Sequence, residues 1–305
     1  MDGYLASTGT KWILKVPGVT DWQLRKHTFK KLIDLAGIKS EATKETESII
    51  RAPRVLYFDI ESVGLEVKTY QLKNDYISPK NVLKDWSILS YAGAFESDPH
   101  KFFYLDQRFT EDKRDDRQLT EGLHELLLNA DIIIGHNIDR FDLKKFNTKA
   151  TKYGLDPLPK KITYDTLKIA RKYFAVTSNS LWYLANFFGL ENRKSEHGKF
   201  PGDKLWDECM AGNLEAWEEN EHYNQQDVLT TRDLFKYLAK YDPRINFQSF
   251  YQQRTCSCGS QSFFKDEISY SKNGAFQTYR CHDCMKSYEA KDNLIDKDLR
   301  KAFFK

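Results

Sequence analysis

Val55-Leu56-Tyr57-Phe58-Asp59-Ile60-Glu61 begins apolar and ends acidic. Consecutive large apolar residues of this kind read as a buried strand. Side chains alternate faces along a strand, so Asp59 and Glu61 project to one side and Ile60 to the other. Two carboxylates held together repel, and burying them is costly unless a cation intervenes. With only oxygen ligands, that cation would be hard and divalent, Mg²⁺ or Mn²⁺. Taken alone, Asp-x-Glu equally fits a solvated strand end.

The flanking sequence reads as an α/β domain over residues 51–244. Trp86 to Phe95 and Phe102 to Leu105 are strand-like, and a helical pattern at Gln118 to Leu128 leads into the apolar strand Ile132-Ile133-Ile134. Helical spacing follows at Phe141 to Tyr153, Tyr164 to Phe174, Ser180 to Phe188 and Trp217 to Tyr241. Strands first, with helices interleaved and then accumulating, define the class.

Two further motifs carry polar side chains. Gly135-His136-Asn137-Ile138-Asp139-Arg140-Phe141-Asp142 follows a buried strand and places Asp142 in a first helical turn, where it can also act as a cap. In His222-Tyr223-Asn224-Gln225-Gln226-Asp227-Val228, Tyr223 and Asp227 are four residues apart and share a helical face, a spacing that also suits a local hydrogen bond.

In combination the three motifs resemble the DEDD exonuclease superfamily, proofreading-exonuclease-like proteins with a ribonuclease H-like fold. Asp-x-Glu lies at Asp59 and Glu61, Asn-x-x-x-Phe-Asp at Asn137 to Asp142, and Tyr-x-x-x-Asp at Tyr223 to Asp227, in the family's order. Tyr164-Asp165-Thr166-Leu167 and Ser180 to Leu190 agree, and the resemblance covers about residues 54–241. It implies a mixed sheet flanked by helices and a two-metal phosphodiesterase. Asp59 would bridge two Mg²⁺ or Mn²⁺ ions, Glu61 and Asp227 would complete the first site, and Asp142 would hold the second. The family divides by its water-orienting residue, a Tyr four before the last Asp or a His five before it, and both Tyr223 and His222 are present. Neighbours on a helix point about 100° apart, so one alone can face the metals; the Tyr-Asn-x-x-Asp context favours Tyr223. His136 reads as structural.

Of the five cysteines, Cys209 stands apart and Cys256, Cys258, Cys281 and Cys284 cluster, with 22 residues between the two pairs. Paired thiols with no sign of an oxidising compartment suit tetrahedral Zn²⁺ better than disulfides. With a hairpin signal at Asn273-Gly274, residues 250–305 read as a small zinc ribbon. Its Cys-x-Cys pair is tighter than the usual Cys-x-x-Cys and leaves His282 as a conceivable substitute ligand. Lysines, arginine and aromatics in this stretch suit either nucleic-acid contacts or a small core with a solvated rim.

Residues 1–50 are expected to form a short helical segment, with Asp21 to Leu24 and Phe29 to Ala36 at near-helical spacing before Gly37. It reads as a docking helix or, with Lys26, Lys30 and Lys31, as a helix-turn-helix-like DNA contact.

Composition narrows the classes. The 305 residues are 40% hydrophobic and 30% charged, with a net charge of +3, enough apolar material for a full core. Residues 51–244 hold 29 Lys and Arg against 31 Asp and Glu, whereas the flanks hold 18 against 13. That division suits an acidic active site between basic parts that hold a polyanion, though surface solvation produces it too. There is no long apolar run and no secretory pattern at the N-terminus. The expectation is a cytoplasmic, non-membrane 3′–5′ exonuclease on DNA, preferring single-stranded ends. An exoribonuclease, a structure-selective endonuclease and a catalytically silent nucleic-acid-binding protein are the alternatives, and protein partners are unknown.

Overall fold

The computed structural model describes residues 53–70, 73, 76–193, 198–245, 254–271 and 274–298, together with the backbone of three strands nearer the N-terminus. The chain divides into two units, Met1–Arg51 and Ala52–Lys305.

In the first unit, β1 (Tyr4–Ser7), β2 (Trp12–Lys15) and β3 (Trp22–Leu24) form an antiparallel sheet in that order. This corrects the helical expectation at Asp21 to Leu24. Trp22 and Leu24 fit a period of two as well as a helix, and pairing with Trp12 and Leu14 selects the strand. The stretch Phe29 to Ala36 and Lys26, Lys30 and Lys31 lie outside the described residues.

The second unit supplies β4 (Val55–Val63), a short ribbon of β5 (Glu66–Val67) and β6 (Val82–Lys84), then β7 (Ser87–Phe95), β8 (Asp98–Asp106), α1 (Arg117–Leu128), β9 (Ile132–Gly135), α2 (Asp142–Lys152) and β10 (Ile162–Asp165). Helices α3 (Thr166–Tyr173), α4 (Leu181–Phe187), α5 (Lys204–Met210) and α6 (Leu214–Ala239) follow. The five-stranded sheet runs β10-β9-β4-β7-β8, with β4 parallel to β9 and antiparallel to β7. This is the mixed, helix-flanked sheet of a ribonuclease H-like α/β fold.

Alternation along β4 builds two cores. Leu56, Phe58 and Ile60 pack with Leu119, Leu123 and Leu127 of α1 and Phe146 of α2. Val55 and Tyr57 face the other way, onto Val228, Leu234 and Phe235 of α6. Asp59 and Glu61 continue that second file, so the strand that fills both cores also aims its acids at α6.

Besides the β5–β6 ribbon, which the sequence reading did not anticipate, the region from β10 onward differs from expectation in two places. Tyr164 and Asp165 belong to β10, and the helix starts at Thr166, because the Asp165 side chain accepts from the amides of Leu167 and Lys168 and caps α3. Helix α5, which has no counterpart in the sequence reading, buries Leu205 and the lone Cys209 against Trp217 and Leu89. Cys209 is thus core material.

Past α6, β11 (Phe263–Ser271), β12 (Gly274–Cys281) and β13 (Ser287–Asn293) form a three-stranded antiparallel sheet. Lys286, the residue just before β13, is buried and donates to the carbonyls of Ala239 (2.7 Å), Asp242 (3.2 Å) and Ile245. An ammonium thus satisfies carbonyls at and just beyond the C-terminal end of α6, where the helix dipole is negative. Among the described residues no helix is long and apolar enough to cross a membrane.

Candidate active site

The site forms where β4 and β9 part. Their pairing runs from Val55↔Ile132 to Tyr57↔Ile134, after which β9 ends at Gly135 and the edge of β4 is open. A crevice beyond the carboxyl ends of neighbouring strands is where open α/β sheets place ligands. Asp142, at the start of α2, fills part of it by accepting the Ile60 amide at 3.1 Å.

The loop that delivers Asp142 is tightly determined. A Cβ on Gly135 would lie 2.6 Å from Ile138 Cδ1, so only glycine lets the chain turn there. Asn137 adopts φ 63°, a left-handed conformation that Asn tolerates, and its amide donates to Asp165 Oδ1 at 2.9 Å. The His136 ring is held by Thr166 Oγ1 (2.9 Å) and the Asn179 carbonyl (3.0 Å), the structural placement its sequence context implied.

On the opposite side of β4, helix α6 buries Tyr223, Asn224 and Asp227 together, while His222 is exposed. Ligand oxygens of Asp59, Glu61 and Asp227 all lie within 4.8 Å of one another. Three of the four acids singled out in the sequence are therefore one cluster. Asp142 lies beside that cluster, tied to the amide between Asp59 and Glu61.

The electrostatics match a cation-binding crevice. Burial pushes the Asp142 carboxyl up to about 7, against the lowering effect of the Ile60 and Asp142 amides, with nearby Asp165 adding to the rise and Lys145 opposing it. Lys145, one turn along α2, donates to Ser62 Oγ at 2.8 Å and sits 4.4 Å from the Trp86 ring centre and 4.6 Å from that of Phe141. Close, partly buried carboxylates with an all-oxygen donor set fit a hard divalent ion.

The cysteines form a second cluster, with Cys256, Cys258, Cys281 and Cys284 sulfurs within 4.8 Å of one another. Cys256 Sγ lies 3.4 Å from Cys284 Sγ, and Cys258 Sγ lies 3.6 Å from Cys281 Sγ. Four sulfurs about 2.3 Å from one zinc would stand roughly 3.8 Å apart, so the spacing fits with little movement. The Tyr288 hydroxyl donates to Cys256 Sγ at 3.0 Å, an outer contact of the kind that orients a ligand. His282 lies against the Phe264 ring instead of joining the cluster.

Sequence reasoning missed Asn224, whose Nδ2 donates to Asp59 Oδ2 at 2.8 Å. The available signal was Asn220 and Asn224, one turn apart on the face of α6 that also carries Trp217 and Val228.

The family model described as RNase_H superfamily matches residues 85–239, about half of the chain. The chain belongs to the ribonuclease H superfamily, and its α/β unit is a domain of that class. The matched stretch contains Asp142, Tyr223 and Asp227; Asp59 and Glu61 precede it and join them through β4. Among solved structures, a family B DNA polymerase from the hyperthermophilic archaeon Pyrobaculum calidifontis is similar at 16% identity with a TM-score of 0.46, over 75% of this chain. The chain spans 32% of that polymerase's length. No curated protein matches.

Proposed function

We propose that the chain is a metal-dependent 3′–5′ exonuclease of the tyrosine branch of the DEDD superfamily, hydrolysing DNA with single-stranded ends preferred. The observation that carries this reading is the convergence of Asp59, Glu61 and Asp227 within 4.8 Å beside buried Tyr223. Asp59, Glu61 and Asp227, with Asp142 next to them, would hold two Mg²⁺ or Mn²⁺ ions. Such ions supply Lewis-acid stabilisation of a phosphodiester and lower the pKa of bound water.

The protein's own contribution is placement. The carboxylates are fixed by a strand in the middle of the sheet and by a 26-residue helix, so their separation does not depend on a mobile loop. Tyr223 shares its helical face with Asp227 and is the residue that would orient the attacking water. A terminal nucleotide has to be splayed into this acidic pocket, which costs unpairing and unstacking energy at a duplex end and less at a single-stranded one, and this is the reason for the proposed single-strand preference. The four cysteines would hold one structural Zn²⁺ in a ribbon module.

The reading is tested with 5′-labelled single-stranded DNA and RNA in Mg²⁺, Mn²⁺ or chelator. The expected result is a metal-dependent ladder of DNA shortened one nucleotide at a time from the 3′ end. Internal cuts, or faster degradation of RNA, would select the alternative nucleases, and no cleavage with either metal would sink the enzyme reading.

Tyr223→Phe should lower turnover by roughly 10²-fold or more, the low end of what a positioned proton-handling group contributes. His222→Ala, on the exposed face, should leave turnover unchanged. Initial rates at saturating substrate decide this, and the reverse ranking would move the chain to the histidine branch.

A further inference from the structure

We propose that Asn224 is a positioning residue for metal capture, fixing Asp59 through a hydrogen-bond relay buried between α6 and the sheet; this rests on Asp59 being a metal ligand. Asn224, Ser90 and Asn220 are each fully buried. Polar side chains at such an interface cost stability unless satisfied, and apolar residues would pack there by default.

The donors of the relay run outward from Asn220, toward Asp59 at one end and Asp106 at the other. Carboxylates only accept, so Asn224 must turn its Nδ2 toward Asp59 Oδ2, 2.8 Å away. Its Oδ1 then faces Ser90, whose hydroxyl donates to it at 3.2 Å. With that proton committed, Ser90 Oγ accepts from Asn220 Nδ2 at 2.9 Å. Asn220 Nδ2 also donates to Tyr104 Oη at 3.2 Å, and the Tyr104 proton goes to Asp106 Oδ2 at 2.8 Å. Arg108 closes the far end, donating to Asp106 Oδ2 at 2.7 Å and to Glu221 of α6 at 2.5 Å.

Each amide and hydroxyl orientation in the relay is thus dictated by an acceptor-only carboxylate at one end or the other. A flipped Asn224 would set oxygen against oxygen at Asp59. The relay's effect is to hold one oxygen of Asp59 against repulsion by Glu61 and Asp227, which fixes the direction of the other. Groups that orient a ligand from behind typically matter 10- to 100-fold in metal affinity.

The test is titration of Mn²⁺ alone into the metal-free full chain, read calorimetrically, with the free Mn²⁺ giving half-maximal nuclease rate measured alongside. Asn224→Leu keeps the volume and removes the donor; its Mn²⁺ Kd should rise by roughly tenfold or more. Ser90→Ala, a smaller change further along the relay, should raise Kd by a lesser factor in the same direction. A purely structural role would lower the melting temperature and leave Kd unmoved. If Asn224→Leu does not fold, Ser90→Ala decides alone, and a Kd equal to the parent's overturns the inference. A parent chain that takes up no Mn²⁺ overturns the metal-site reading itself, whereas a parent that binds with unaffected variants overturns this inference only.

Discussion

An Asp227→Asn chain is expected to lose roughly 10³-fold or more of its metal-dependent nuclease turnover, since the several kcal/mol a metal centre supplies converts at about 1.4 kcal/mol per factor of ten. The same substitution should not lower the melting temperature of the metal-free protein. Asp227 is buried, and its carboxylate oxygen lies within 4.8 Å of those of Asp59 and Glu61. Without a cation these charges repel, and a neutral amide of the same shape relieves part of that repulsion. Added Mn²⁺ should then raise the melting temperature of the parent and leave the variant nearly unmoved, because a ligand that binds only the folded state stabilises it in proportion to its affinity. Asp59→Ala should behave alike in activity. The pair of measurements is steady-state hydrolysis and thermal melting with and without Mn²⁺. Near-parental turnover in either variant would refute the site, and a lower metal-free melting point would make Asp227 a structural acid.

Loss of zinc is expected to unfold the cysteine module outright. Among its described residues, the buried apolar side chains are those of Cys256, Ala275 and Cys281, so the hydrophobic effect has little to act on. A tetrathiolate zinc centre contributes on the order of 10 kcal/mol or more to the folding of such small units. The parent should therefore carry one zinc per chain by elemental analysis, and Cys284→Ala should carry none and be cut rapidly by protease within residues 254–298. The α/β domain should also melt at a lower temperature in Cys284→Ala, because Lys286 would no longer donate to the carbonyls of Ala239, Asp242 and Ile245. A zinc-free parent resistant to protease would mean that strand pairing alone holds the module.

Much of this molecule was legible residue by residue, and the exceptions share a cause. Val55 to Phe58 and Ile132 to Ile134 are apolar on both faces, which marks central strands whatever surrounds them. Asp59 with Glu61 and Tyr223 with Asp227 have spacings that strand and helix geometry convert into shared faces, so each pair could be placed before its partner was known. The reading failed where local pattern was ambiguous and distant pairing chose. Trp22 to Leu24 became a strand because β2 lies beside it, and Tyr164 joined β10 because β9 offered an edge.

The sequence by itself determined the chemistry available to this protein: four acids, a tyrosine and four paired thiols, each in a recognisable local setting. Periodicity is a property of neighbouring residues, and neighbouring residues suffice to express it. Only the tertiary structure decided that Asp59, Glu61 and Asp227 share one small volume, that Asp142 reaches it through the Ile60 amide, and that Asn224 holds Asp59 in place. Those facts depend on where β9 stops along β4 and on how α6 lies across the sheet. Both are set by packing between segments far apart in the chain, which no local window of sequence contains.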